Sequence, residues 1–170
     1  FGNLSAPEKK PVNIHDVLDR ARRSTQLGAG AHMKFIEEYD PSLPLAYGDP
    51  DQLLQVVLNL LKNSAEAADQ KAGGPIRLRT FYEHSFRMRR ADGSTQKLPL
   101  QIEVIDDGSG VSNTQAVGGG RGIIGMSERA KVLGGHLVAE PLRCGGFRVS
   151  AQIPLVSTEQ SDRSLRRVER

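Results

Sequence analysis

The sequence predicts an α+β fold, a two-layer α/β sandwich with about three helices on one face of a mixed, mostly antiparallel sheet. Three observations carry this. Apolar residues switch along the chain between a spacing of three or four and a spacing of two. The switches give the order helix, strand, helix, hairpin, helix, hairpin. Glycine, proline or Asp-Gly punctuates nearly every one of them. Sequential strands joined by hairpins pair antiparallel, and helices with one apolar stripe must bury it on that sheet. At 170 residues the chain is long enough for one domain with a substantial core.

Residues 1–12, with Gly2, Asn3, Pro7, Pro11 and two lysines, read as a linker. From Ile14 the positions Ile14, Val17, Leu18, Ala21 and Leu27 describe an amphipathic helix that stops at Gly28–Gly30. Met33–Glu37 is a short strand, ended by Asp40-Pro41 and a loop to Tyr47. The strongest helix follows. Asp49 suits the N-cap, Pro50 the first helical position, and Gln52 completes a capping-box pattern. Its apolar body, Leu53, Leu54, Val56, Val57, Leu58, Leu60 and Leu61, runs on to Ala68 and ends at Gly73-Gly74-Pro75. A strand from Ile76 to about Met88, a turn at Ala91–Ser94 and a strand from Leu98 to Ile105 form a long hairpin. After a loop from Asp106 to about Gly122, a third helix passes through Met126, Ala130 and Leu133 and is capped by Gly134-Gly135. His136–Glu140 and Phe147–Ile153 are the last strands, the second with Phe147, Val149, Ala151 and Ile153 on one side. The domain proper is thus 13–156, and residues 157–170 read as a flexible polar tail.

Composition excludes several classes. The longest apolar runs, around Leu53–Leu61, are too short and interrupted to span a bilayer, and the first residues lack the regions of a signal peptide. The single Cys144 forms no internal disulfide and there is no Cys/His cage, which points to a reducing, cytoplasmic setting. The net charge of +3 is local. Residues 76–90 hold five arginines against Glu83, so the rest sums to −1, and no wide basic face for nucleic acid is expected.

Three constellations carry chemistry. Gln55, Asn59, Lys62, Asn63 and Glu66 share one face of the strongest helix. A merely solvated face would carry Glu, Lys or Arg at less cost, because asparagine competes with the helix backbone. Two asparagines one turn apart place two amide oxygens side by side, where they suit a hard cation such as magnesium. Next, the apolar strand Val104-Ile105 runs directly into Asp106-Asp107-Gly108-Ser109-Gly110. A carboxylate there can accept from a base amino group, and the glycines leave room for a planar ligand. An ordinary strand-end turn has the same outline. Third, Gly118-Gly119-Gly120-Arg121-Gly122-Ile123-Ile124-Gly125 opens a helix, where bare backbone amides favour phosphate. Gly120-x-Gly122-x-x-Gly125 also fits a dinucleotide fingerprint, but residues 111–117 supply no strand to enter it.

Together, in this order and at these separations, the motifs resemble those of the ATP-binding catalytic domain of sensor histidine kinases, in the wider group of gyrase and Hsp90. The asparagine helix looks like the N box, Asp106-x-Gly108-x-Gly110 like the G1 box and Gly120-x-Gly122 like the G2 box. The resemblance covers about residues 12 to 155 and implies the Bergerat ATP-binding fold. It implies that Asp106 accepts from the adenine amine with Gly108 and Gly110 beneath the base. It implies that Asn63 ligates Mg²⁺ with Asn59 in support. These two are the expected catalytic residues. Lys62, Gly120, Arg121, Gly122 and Ile123 complete the expected ATP-contacting set. Hydrolysing relatives carry a glutamate where Asn59 stands, so the kinase branch is the expected one. The implied partners are a dimerisation and phospho-acceptor domain and a response regulator.

The chain also departs from the family pattern. Glu66 and Ala67 stand where many kinases have a basic or aromatic residue, and the lid lacks its usual phenylalanine motif. Gly48–Ala68 and the arginine hairpin resemble nitrogen-regulation sensor kinases, whereas Gly122–Leu155 resembles the nitrate-sensor type. A natural hybrid, an engineered chimera or a replaced lid would each produce this. The expected function is transfer of the ATP γ-phosphoryl to a histidine on a separate domain. The alternative is a nucleotide-binding or interaction module with a rebuilt lid and little or no catalysis.

Overall fold

Asn13 and Asp49 start the two long helices of a computed structural model that describes residues 8–28, 30–69, 75–106, 127–128, 130–131, 134–143 and 146–155. The elements in order are β1 (Lys10–Val12), α1 (Ile14–Leu27), β2 (Phe35–Glu38), β3 (Ala46–Gly48) and α2 (Pro50–Asp69). They continue as β4 (Ile76–Tyr82), β5 (Arg87–Arg89), β6 (Thr95–Lys97), β7 (Leu100–Asp106), β8 (His136–Pro141) and β9 (Phe147–Ile153). Ser127, Glu128, Ala130 and Lys131 are also helical, as expected for the third helix, and Ala130 is buried. The remainder of that helix lies outside the described residues.

The Asn13 side chain accepts from the His15 N–H and so caps α1, while the Gly28 N–H donates to the Thr25 carbonyl at the other end. Ile14, Val17, Leu18 and Ala21 are buried as their spacing predicts, whereas Leu27, expected on the same stripe, is exposed at the last position of the helix. At α2, Asp49 Oδ1 accepts from the N–H groups of Asp51 at 3.0 Å and Gln52 at 3.3 Å. The other oxygen of Asp49 accepts from the Glu8 N–H at 3.0 Å. The cap of α2 is therefore also an anchor for the chain entering the fold.

The main sheet has five strands in the order β2-β4-β7-β9-β8, with β2–β4 parallel and the other pairs antiparallel. Its inner face presents Leu78, Ile102, Val104, Val149 and Ala151 to the core, which Leu18, Leu53, Val57 and Leu61 fill from the helices. The outer face is polar and laced with ion pairs. Arg79 Nη1 lies 3.1 Å from Glu103 Oε2, and Arg148 pairs with Glu140.

Two local expectations change. The strand expected to run from Ile76 to about Met88 ends at Tyr82, and a separate strand begins at Arg87. Between them Glu83 Oε1 accepts from both the N–H and the hydroxyl of Ser85, which folds the backbone into a turn. The hairpin is thus a β4–β7 pair inside the sheet and a separate β5–β6 ribbon outside it. Secondly, Lys10–Val12, read as linker, pair with Ala46–Gly48, and Val12 is buried.

Candidate functional site

A helix with leucine or valine at nearly every turn position must bury most of its circumference, and α2 does. Leu53, Val56, Val57, Leu60, Leu61 and Ala65 are buried, and the helix packs on α1 and β7. The polar stripe occupies what remains. Gln55 and Lys62 are exposed, whereas Asn59 and Asn63 are half-buried at the boundary between core and solvent. Neither asparagine amide has a hydrogen-bond partner among the described residues. Two half-buried amides one turn apart, neither committed to a protein partner, are available to a ligand or metal.

The carboxylate of the second constellation stands on the neighbouring element. Strand β7 is the middle strand of the sheet and is buried from Leu100 to Ile105. Asp106 is its last residue and is half-buried, in register with Ile76 of β4 and Phe147 of β9. The apolar run before Asp106 thus does what its composition requires, filling a strand covered on both faces and delivering an acid at its end. The helix bearing Asn59, Lys62 and Asn63 lies against the strand that ends in Asp106. Gly108, Gly110, Gly120, Arg121, Gly122 and Ile123 lie outside the described residues.

Among the described residues no group of three or more His, Cys, Asp or Glu side chains is arranged to hold a metal. The donors at hand are amide oxygens on α2. Such a set suits a magnesium ion that keeps most of its coordination on phosphate and water, not an all-protein cage. One supporting contact was not legible beforehand. Asp49 joins the start of α2 to Glu8, 41 positions away in sequence, and no periodicity signals such a contact.

These features define a class. The chain belongs to the family described as histidine kinase-, DNA gyrase B-, and HSP90-like ATPase, whose pattern matches residues 48–157. Among curated relatives it is 66% identical over 111 residues to the sensory histidine kinase/phosphatase NtrB of Rhodobacter capsulatus, covering 65% of this chain and 31% of that protein. It is 42% identical over 149 residues to the NtrB of Azospirillum brasilense, covering 80% of this chain and 36% of that one. The chain therefore spans about a third of the length of these relatives. Among solved structures, the mycobacterial sensor histidine kinase MprB superposes with a TM-score of 0.63 at 17% identity, covering 88% of this chain and 100% of that one. The ATP-binding domain of PrrB from Mycobacterium tuberculosis superposes with a TM-score of 0.57 at 22% identity, covering 88% and 99%. The shared fold is the two-layer sandwich expected from the sequence.

Proposed function

We propose that this chain is the ATP-binding catalytic unit of a two-component sensor histidine kinase, passing the γ-phosphoryl of ATP to a histidine on a separate dimerisation domain. The observation that carries the reading is the pair of unengaged, half-buried amides of Asn59 and Asn63 on a helix packed against the strand that ends in Asp106. The relatives at 66% and 42% identity are named sensory histidine kinase/phosphatase, which supports the same reading.

In it, the Asp106 carboxylate accepts a hydrogen bond from the adenine amine, and Gly108 and Gly110 leave space beneath the base. Gly120, Arg121, Gly122 and Ile123 close over the phosphates, and Lys62 adds positive charge nearby. Asn63 would hold magnesium, with Asn59 in support. When bound, the ion neutralises charge on the triphosphate. The acceptor imidazole nitrogen forms the new P–N bond as the bond to the β–γ bridging oxygen breaks and ADP departs. Positioning and charge neutralisation are the main contributions such a site makes. An amide cannot act as a general base, so Asn59 cannot activate water as the glutamate of hydrolysing relatives does. The remaining partner is a response regulator, and the setting is cytoplasmic. Among the described residues no helix is long and apolar enough to cross a membrane.

The test mixes this chain with a separate dimerisation and phospho-acceptor domain and γ-labelled ATP. Label on a histidine supports the kinase, whereas ATP binding without transfer sinks it and leaves a nucleotide-binding module. ATP affinity of Asp106→Asn and Asn63→Ala, with and without magnesium, tests the site itself. Asp106→Asn is expected to cost about 1–3 kcal/mol, because a donor can then face the adenine amine. If neither variant weakens binding, the site assignment is wrong.

A further inference from the structure

Among the described residues the arginines of the main sheet are paired with acids, whereas the cations clustered on one exposed ribbon are not. On the sheet, Arg77 and Arg79 each approach Glu38 at 3.3 Å, Arg79 also reaches Glu103, and Arg148 holds Glu140. On α1, Arg22 meets Glu37. The β5–β6 ribbon is different. Arg87 stands directly opposite Lys97 in register, and Arg89 projects beside them from the same exposed face. Arg90 follows, its Nε donating to Gln96 Oε1 at 3.1 Å.

Among the described residues no carboxylate lies within ion-pair distance of any of these four cations. The two nearby acids are occupied elsewhere. Glu83 accepts from Ser85, and Asp92 accepts from the N–H and hydroxyl of Ser94. Four cations against Asp92 in residues 87–97 equal the whole formal net charge of +3.

Such a ribbon is expensive to keep for its own sake. Like charges directly opposite each other destabilise a strand pair, and two three-residue strands have little stability to spare. Its base is anchored all the same: Leu98 and Pro99 are buried, and Phe86 stacks on His136 of β8 with ring centroids 6.2 Å apart. The anchoring holds a compact cationic face in a fixed place.

We propose that the exposed face formed by Arg87, Arg89 and Lys97, with Arg90 at its edge, is a docking surface for an acidic protein segment. Arginine forks bind carboxylates bidentately, and three of the four cations are arginines. A strand of three residues spans only about 10 Å, enough for a few carboxylates on one segment. Nucleic acid tracks a longer basic stripe than this ribbon offers.

The test titrates an oligoglutamate peptide into the isotopically labelled chain without nucleotide, so its outcome is independent of the kinase reading. Amide shifts confined to residues 86–98 are expected. The combined variant Arg87→Gln, Arg89→Gln, Lys97→Gln should bind at least tenfold more weakly. Arg20→Gln, Arg23→Gln, Lys34→Gln removes as much charge from exposed positions elsewhere and should bind as the parent does. Lys97→Glu separates docking from folding. It places an acid opposite Arg87, so the urea midpoint should hold or rise while peptide binding falls. Shifts spread over the surface, equal losses in both triple variants, or tighter binding of a DNA duplex or phosphatidylserine vesicles through the same residues would each overturn the proposal.

Discussion

Asp92 shows how much a single side chain can be shaped by its neighbour two positions on. Its Oδ1 accepts from the Ser94 N–H at 2.8 Å and from the Ser94 hydroxyl at 2.6 Å, and these bonds hold its carboxyl below the usual carboxylate range. Ser42 does the same for Asp40, and Ser85 for Glu83. A carboxyl whose folded-state value lies below its unfolded value stabilises the fold at neutral pH, and that contribution disappears as pH falls through the folded value. Ser94→Ala should therefore move the Asp92 titration upward in a carboxyl-carbon NMR series, and the variant's deficit in Tm should shrink in acid. Tyr39 is perturbed in the opposite sense. Burial, and then the charge of Glu37, push its phenol well above the usual tyrosine value. Its hydroxyl is buried with no partner among the described residues, while its ring stacks on His15 at 4.8 Å. Tyr39→Phe keeps the ring and removes the unsatisfied group, so urea unfolding should show a gain of about 1 kcal/mol.

Helix α2 shows how legible an element is when each local signal agrees. Its N-cap, its first-turn proline and its apolar body were all readable, and its stripe of Asn59, Lys62 and Asn63 emerges where the core ends. Asp49→Ala removes two capping bonds and the tie to Glu8, and chemical denaturation should show a loss of about 1–2 kcal/mol. The elements that escaped detection are short. Strands β1 and β3 have three residues each, too few for an alternating pattern, and they pair across more than thirty intervening positions. The break after Tyr82 escaped for another reason. Alternation continues through Arg87, Met88 and Arg89, so only the Glu83–Ser85 hydrogen bonds distinguish one strand from two. The site was legible where residue type and spacing carry chemistry, in the paired asparagines and in Asp106 at the end of a buried strand. The contact between the elements that bear them arises from the packing of α2 on β7, which no local pattern encodes.

At the scale of the whole molecule, the two faces of the five-stranded sheet differ in chemistry. Its inner face is apolar, and its outer face is held by Arg–Glu pairs. The entering segment is stitched to this body through β3. Removing residues 1–12 exposes the Val12 site and breaks the β1–β3 pairing, so calorimetry should show a lower Tm, with about 1–3 kcal/mol lost. Strand β3 also meets the outgoing chain. The Tyr47 N–H donates to the Pro154 carbonyl at 2.9 Å, and Ala46 bridges Leu155. One three-residue strand thus clasps the polypeptide at both its entrance and its exit, immediately before Asp49. The clasp and the Glu8–Asp49 hydrogen bond tie the entering segment to the head of α2 as well as to the chain leaving β9. A change in how the entering segment is held thus reaches the helix bearing Asn59 and Asn63 through its own N-cap, without passing through the main sheet.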